Sequence, residues 1–500
     1  MRPHRVAAAS IAAVILRVLF LLSAFALSLF VAKMASAAET SPTPNVASTA
    51  SVVGSSALTY TAQRGDSIPS VAHHYLSKTW FLTSAELGDA IRHANGDRKG
   101  ISLKAGETIT IPGALSAPIV EKSVPVAKDF EVRAIYLTGL MAGSDHGRKI
   151  MRRWKELGGN AVVFDIKDSD GSLSVPFDHP LAGAQKGHPI PELPKFTRYV
   201  HSLGLHAIAR VAIFRDERLV KAHPELAVQS KANKAAWREN GKLVWTDPSQ
   251  PKVQEYDIAL AKMAAESGAD EVQFDYVRFP AEGNQKDASF YFQKEHPTWQ
   301  RSDVIADFLK KAHAELHPSG VLFSLDVFGI MAWQRNVDLA HTGQDIVKMA
   351  KYCDVISPMI YPSHFYGMDG IARPGDAPEH FIGESMQRFE LITKDSGVVL
   401  RPWLQAFGWR THTYSAQYIL TQLKVAREKG GVGFLLWNAQ NNYSKPYEAM
   451  SEVATNHKAY FRGDEVGGVV KAAVAATSLA PPAPAAEPGF KPVSAPQHRY

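Results

Sequence analysis

Eight short apolar stretches recur between residues 131 and 457, at 132–138, 160–167, 206–214, 271–279, 321–328, 355–361, 399–406 and 431–437. Amphipathic helical patterns fall between them, at 146–157, 194–203, 250–267, 302–316, 343–352, 378–395 and 415–429. Strands alternating with helices imply βα units and a parallel sheet. Eight such units in one run predict a closed (β/α)8 barrel, a TIM barrel with enlarged loops, over residues 130–460. The competing fold is a doubly wound open sheet. That fold places a glycine-rich phosphate loop after its first strand, and the sequence has none there.

Strand parity narrows the functional candidates. Alternate residues of a barrel strand face the interior, and the others face the helices. If the apolar series faces the helices, the interior series is polar: Tyr136 and Thr138, Asp165 and Lys167, Arg210 and Asp216, Gln273 and Asp275, Ser324 and Asp326, Ser357 and Tyr361, Arg401, Trp403 and Gln405, and Trp437. Barrel enzymes keep their sites at the C-terminal ends of the strands, so the members nearest those ends are the candidates. The aromatic ones, Tyr136, Tyr361, Trp403 and Trp437, suit stacking on sugar rings; the alternative is that they fill the barrel. Asp165 with Lys167 or Arg210 also reads as a buried ion pair.

Cleaving a glycosidic bond takes two carboxyl groups, one to protonate the leaving oxygen and one to act as nucleophile or to activate water. Asp275 and Asp326 end the fourth and fifth strands, which are neighbours about 5 Å apart, so that their carboxylates could sit at the short, retaining separation; the stereochemical outcome stays open. Asp275 is the candidate nucleophile. It lies in Glu271-Val-Gln-Phe-Asp-Tyr-Val-Arg-Phe-Pro280, where Pro280 ends the strand because proline cannot donate to a ladder. Asp326 is the candidate acid, its pKa raised by Phe328 and by the charge on Asp275. Asp165 or Asp168 is the alternative partner, although Asp168-Ser-Asp-Gly171 is also an ordinary turn. Tyr136, Asp165, Lys167, Gln273, Arg278, Tyr361, Trp403, Gln405 and Trp437 are the candidate substrate contacts, with Arg278 placed to hold a hydroxyl or a carboxylate.

The motifs Arg133-Ala-Ile-Tyr-Leu-Thr138, Val163-Phe-Asp-Ile-Lys-Asp168, Gln273-Phe-Asp-Tyr-Val-Arg-Phe-Pro280, Ser324-Leu-Asp-Val-Phe-Gly329 and Ser357-Pro-Met-Ile-Tyr-Pro362 carry a family resemblance. The region from Val132 to about Tyr443 resembles a glycosyl hydrolase family of bacterial envelope proteins, whose TIM barrel is distantly similar to the α-amylase clan. The resemblance implies a nucleophile at Asp275. Two positions depart from the amylase pattern. Gln273 stands where that pattern has an arginine two residues before the nucleophile, and only Asp326 stands where it has a glutamate acid on the next strand.

The chain before the barrel reads as a targeting segment and a small module. Arginines at positions 2 and 5, an apolar run at 18–32 and Ala35-Ser36-Ala37 form a secretory signal peptide over residues 1–37; an uncleaved anchor is the rival reading. Residues 38–57 are a linker rich in Ser, Thr, Ala and Pro. Residues 58–113 hold a strand, the turn Arg64-Gly65-Asp66-Ser67 with Asp66 or Ser67 as a helix cap, a second helix with Asn95, and the closing strand Ile109-Thr-Ile-Pro112. This arrangement resembles the LysM module, a small βααβ domain that binds N-acetylglucosamine-containing glycans. Residues 77–86 look like an insertion near the loops that would grip sugar. A linker follows at 114–129, and residues 461–500 are an Ala- and Pro-rich tail with no basis for a packed core. A mature protein outside the cytoplasmic membrane is expected, in the periplasm or cell envelope or secreted. It would touch the membrane only through the signal segment if that is uncleaved.

Several classes are disfavoured. The net charge of +6 forms no basic stripe, so nucleic-acid binding is not expected. Cys353, the only cysteine, allows no internal disulfide and reads as a small buried hydrophobe. The histidines show no metal-ligand spacing, including His313 and His317 on one helix, and neither H-E-x-x-H nor paired C-x-x-C occurs. No cofactor or metal is expected. The sequence therefore reads as an exported glycoside hydrolase whose partner is a polysaccharide or the peptidoglycan glycan. A non-catalytic carbohydrate-binding or scaffolding barrel and a deacetylase or amidase are the alternatives.

Overall fold

The computed structural model describes residues 56–185 and 187–462. The expected signal segment, all but the last two residues of the expected 38–57 linker, and nearly all of the expected tail lie outside the described residues. The barrel strands are Arg133–Leu137, Ala161–Lys167, His206–Ala212, Glu271–Asp275, Leu322–Phe328, Val355–Ile360, the pair Val399–Leu400 and Trp403–Gln405, and Phe434–Trp437. The seventh is broken at Arg401-Pro402, and both pieces run alongside the sixth. All neighbours are parallel, and the pairing of the fifth strand with the sixth closes the sheet. This is the eight-stranded α/β barrel expected from the spacing.

Period-2 alternation decides what each strand buries. Ile135, Leu137, Val162, Phe164, Val272, Phe274, Leu325 and Val327 join the large core between strands and helices. Ala134, Tyr136, Ala161, Val163, Ile208, Trp403 and Leu435 form a separate cluster inside the barrel. The helices that cover the strands include Asp145–Glu156, Leu193–Ser202, Pro251–Glu266, Arg301–Leu316, Pro378–Thr393 and Ala416–Glu428. His313 and His317 stack on each other near the end of Arg301–Leu316, with ring centroids 4.9 Å apart. The Cys353 thiol is part-buried and donates to the Met349 carbonyl.

Two strand predictions need correction. The second strand has an irregularity between Asp165 and Lys167: Asp165 pairs with Arg210, but Lys167 pairs with Val211. A bulge of this kind reverses the parity beyond it. Lys167 consequently leaves the interior and binds Asp257 and Asp216 at 2.9 and 3.0 Å, fully buried among the helices. The fourth strand was expected to reach residue 279, yet it stops at Asp275. Tyr276 has a φ of +55°, a left-handed turn that takes the chain out of the ladder four residues before Pro280.

Inside the N-terminal end of the barrel, Arg401 donates to both oxygens of Glu271 at 2.7 and 3.0 Å, and His206 lies 3.3 Å from the same carboxylate. Burial alone would raise the Glu271 pKa, but Arg401 and His206 outweigh it and hold the group at about 2.

The N-terminal unit pairs Ser56–Thr61 antiparallel with Thr108–Ala114 and packs the helices Ile68–Tyr75 and Ser84–Ala94 against them. Of the two expected caps, Ser67 accepts from the Ser70 amide. Asp66 instead accepts from the Tyr60 hydroxyl at 2.6 Å and the Gln63 amide at 2.7 Å. Asn95 bonds both to Thr110 N–H and to Thr110 C=O, fixing the second helix to the closing strand. The 77–86 segment packs inward rather than hanging free. Thr79 and Phe81 are buried, Trp80 lies against Gly113, and Leu82 reaches the barrel core. Gly113 is required there: its φ is +72°, and a Cβ would meet the Trp80 ring at 2.4 Å. Arg148 lies 3.4 Å from Glu86, and just before the segment Lys195 donates to the Leu76 carbonyl at 2.9 Å, so residues 76–86 join the unit to barrel helices.

Glu271 gives a pH-dependent prediction. Its folded pKa lies below the ordinary 4.5, so its contribution is complete above about 4.5 and lost as pH falls towards 2. Glu271→Gln should lower stability by about 3 kcal/mol at pH 7. Thermal unfolding should show the gap from wild type closing as pH drops from 4.5 to 2.

Candidate active site at the barrel mouth

The C-terminal half of the barrel interior is organised around one guanidinium. Arg210, from the third strand and 2% exposed, donates through Nη1 to Asp165 on the second strand and through Nη2 to Asp275 on the fourth. The Asp275 contact is 2.5 Å, and Arg210 Nε lies 3.8 Å from Asp326 on the fifth strand. Register explains this convergence. Arg210 is the Cα partner of Asp165 on one side and of Gln273 on the other. Gln273 pairs with Ser324 and Phe274 with Leu325, so Asp275 and Asp326 stand on the next rungs of adjacent strands. Arg210 thus stands opposite Gln273, on the neighbouring strand.

The three carboxyls differ in environment. Asp165 is fully buried and also accepts from the Tyr136 hydroxyl. Burial, aided by the charge on Asp168 and opposed by Arg210, pushes its pKa up to about 7. Asp326 is 1% exposed and accepts from Trp403 Nε1 at 2.7 Å. Burial and the charge on Asp275 drive its pKa well above the carboxylate range, against the pull of Arg210 and Trp403. Asp275 is the most open of the three at 7%. Its Oδ1 accepts from the Tyr276 amide at 2.6 Å, a contact made by the left-handed turn at that residue.

The remaining candidates divide between the mouth and structural tasks. Trp437 is half-buried and stacks on Tyr136, with centroids 4.1 Å apart and rings inclined at 24°. Arg210 lies 5.4 Å from the Trp437 ring. Trp403 is almost wholly buried, so its visible task is the bond to Asp326 and not sugar stacking. Tyr361 packs edge-on against Phe407. Gln405 has no free amide for a substrate. Its Oε1 accepts from Ser363 N–H, and its Nε2 donates to Phe407 C=O and Thr411 Oγ1, tying the loops after strands six and seven together. Gln273 reaches Ser357 at 3.4 Å and has an unpartnered buried Oε1. Asp168 is half-buried at the rim and accepts from the Ser169 amide within its own turn. Arg278 stands beyond the Tyr276 turn, with its guanidinium over the rings of Phe328 and Trp245 at 4.3 and 4.7 Å. Lys167, expected among these residues, is absent from the mouth for the reason given above.

Arg210 is the residue whose importance the sequence reading understated. Its signal was present as the single charge in His206-Ala-Ile-Ala-Arg-Val-Ala212, at interior parity. Among the described residues, no group of three or more His, Cys, Asp or Glu side chains could hold a metal ion. No helix among them is long and apolar enough to cross a membrane.

A closed α/β barrel with acidic side chains gathered at the C-terminal mouth is an architecture that glycoside hydrolases use. The family model described as "Putative glycosyl hydrolase domain" matches residues 134–443, more than half of the chain, and the chain belongs to that family. Among solved structures, the chain is similar to a hypothetical protein from Ruminiclostridium thermocellum: 36% identity, 39% of this chain and 97% of that one, TM-score 0.34. It is also similar to the PgaB (BpsB) glycoside hydrolase domain from Bordetella bronchiseptica: 14% identity, 66% and 97% coverage, TM-score 0.47. A third is the spore cortex-lytic enzyme SleL from Bacillus megaterium: 13% identity, 81% and 86% coverage, TM-score 0.39. No curated protein matches the chain.

The carboxyl environments predict an infrared signature. Burial and the charge on Asp275 favour the neutral form of Asp326, so this group should contribute a protonated-carboxyl stretch at pH values where ordinary carboxylates are ionised. Asp326→Asn should remove that band. Trp403→Phe, which deletes a bond favouring the ionised form, should extend the band to higher pH.

Proposed function

We propose that this chain is an exported glycoside hydrolase that acts on a cell-envelope polysaccharide or the peptidoglycan glycan. In this reading Asp275 is the nucleophile and Asp326 the acid/base. The observation that carries it is Asp275 itself, the most open of three clustered carboxyls, aimed by Arg210 and by the Tyr276 amide at the end of the fourth strand. Asp275 attacks the anomeric carbon while the glycosidic C–O bond breaks, forming a glycosyl ester. Asp326, kept protonated by burial and by its charged neighbour, gives its proton to the departing oxygen. Water then attacks the ester and returns its proton to Asp326, so configuration is retained. Trp437, backed by the buried Tyr136, forms an aromatic wall beside the reacting ring, and Arg278 and Asp168 stand at the rim.

Export rests on the N-terminal segment of residues 1–37. The βααβ unit at residues 58–113 is a LysM-like anchor to N-acetylglucosamine-containing glycan, supported by the cap at Ser67 and by Asn95. Anchoring raises the local concentration of the barrel at its substrate. One observation favours a second reading, a sugar-binding barrel without turnover: Asp165 and Asp326 are almost wholly enclosed.

Purified wild type and Asp275→Asn, incubated with peptidoglycan and other envelope glycans, separate the two. Hydrolysis predicts new reducing ends from wild type and a loss of more than about a thousand-fold in Asp275→Asn. Tight binding without new ends from any glycan leaves the binding reading. Release of acetate or amine instead would point to a deacetylase or amidase.

A further inference from the structure

Beyond the carboxyl cluster, the mouth holds two arginines without acidic partners. Arg278 is only 9% exposed, yet no carboxylate lies within 4 Å of its guanidinium among the described residues. Its surroundings are the rings of Phe328, Trp245 and Tyr276, the last at 5.5 Å, and the Phe279 carbonyl, which accepts from Nη1 at 3.0 Å. Arg215 approaches the same Tyr276 ring at 5.7 Å, and its Nη1 donates to the Ser169 carbonyl at 2.9 Å. The acidic groups nearby are engaged elsewhere: Glu239 accepts from Trp245 Nε1 at 2.8 Å and from the Glu282 amide at 3.4 Å, and Asp275 accepts from Arg210 and from the Tyr276 amide.

A cation this deeply buried without a carboxylate in contact is costly. Cation–π contacts offset part of the cost, and beyond the Nη1 bond to the Phe279 carbonyl they leave in-plane N–H donors of the guanidinium for a ligand. Such a fork matches a carboxylate better than a hydroxyl, because two parallel N–H···O bonds form at once. The position is also specific. Arg278 follows the fourth strand, Arg215 follows the third, and Tyr276, which both approach, is bonded through its amide to Asp275. An anionic group held here would sit beside the sugar ring being cleaved.

We propose that Arg278, assisted by Arg215, forms a subsite for a carboxylate-bearing sugar, so that the substrate is an acidic glycan. This rests on the mouth being the glycan site argued above. The shared chemistry is a ring-borne carboxylate, whether the C6 carboxylate of a hexuronate or the lactyl carboxylate of a muramic acid.

Calorimetric titration of the full chain tests it with oligoglucuronate, with an N-acetylglucosaminyl–N-acetylmuramic acid tetrasaccharide, and with the carboxyl-reduced form of each. Wild type should bind at least one acidic oligomer ten-fold or more tighter than its reduced form, and which oligomer does so identifies the source of the carboxylate. Arg278→Met should erase the preference, Arg278→Lys should keep part of it, and Arg215→Met should weaken it. Failure to bind either acidic oligomer, equal affinity for acidic and reduced forms, or an undiminished preference in Arg278→Met would overturn the proposal. If thermal unfolding shows that Arg278→Met does not fold, Arg215→Met decides, and an unchanged preference there overturns it. A carboxylate preference without any release of reducing ends sinks the hydrolase reading and leaves this subsite standing.

Discussion

The mouth of this barrel depends on one buried guanidinium. Arg210 touches Asp165 and Asp275 and lies within 4 Å of Asp326, three carboxyls from three other strands. Without that charge, three acidic groups so close together inside an apolar barrel would not remain there together, because each would pay for its own desolvation and for repulsion by the others. With it, their environments separate. Asp275 takes a bond from Arg210 and retains access to solvent, whereas Asp326 is enclosed and driven towards its neutral form. Two carboxyls of unequal character, on adjacent strands in register, are what acid-assisted nucleophilic cleavage requires.

The opposite end of the barrel uses similar groups for another purpose. Glu271, Arg401 and His206 form a closed cluster, with both Glu271 oxygens occupied by Arg401. The result is an acid held near 2, strongly ionised and with no route to a substrate. Glu271 and Asp275 lie on the same strand and face the same interior, four residues apart. One fastens the base, and the other is presented at the mouth.

Much of this was legible because a barrel strand has a rigid period of two. Parity alone separated Asp165, Gln273, Asp275 and Asp326 from the apolar residues that face the helices. It failed where the backbone departs from that period. The irregularity after Asp165 sends Lys167 into a triad with Asp216 and Asp257. The left-handed turn at Tyr276 ends a strand that composition alone would continue to Pro280. Arg210 was visible as an interior charge, but its command of three carboxyls depends on the registers of three strand pairings, and no single segment encodes those. Trp403 and Gln405 illustrate a further limit. Polar and aromatic residues at interior parity near a strand end look alike in sequence whether they face a substrate or hold up their neighbours. Their hydrogen bonds assign Trp403 to Asp326, and Gln405 to the loops after the sixth and seventh strands. The same holds for residues 77–86, which looked like an insertion beside the loops expected to grip sugar: Leu82 packs on the barrel core and Glu86 lies 3.4 Å from Arg148.

The central claim is that Asp275, held by Arg210, attacks the sugar. Trapping the covalent intermediate tests it most directly. The protein is incubated with an activated 2-deoxy-2-fluoro analogue of a glycoside that it turns over, then digested and mapped by tandem mass spectrometry. The account predicts one glycosyl unit esterified to Asp275. A label on a peptide lacking Asp275, or turnover that inverts the anomeric configuration, would contradict it.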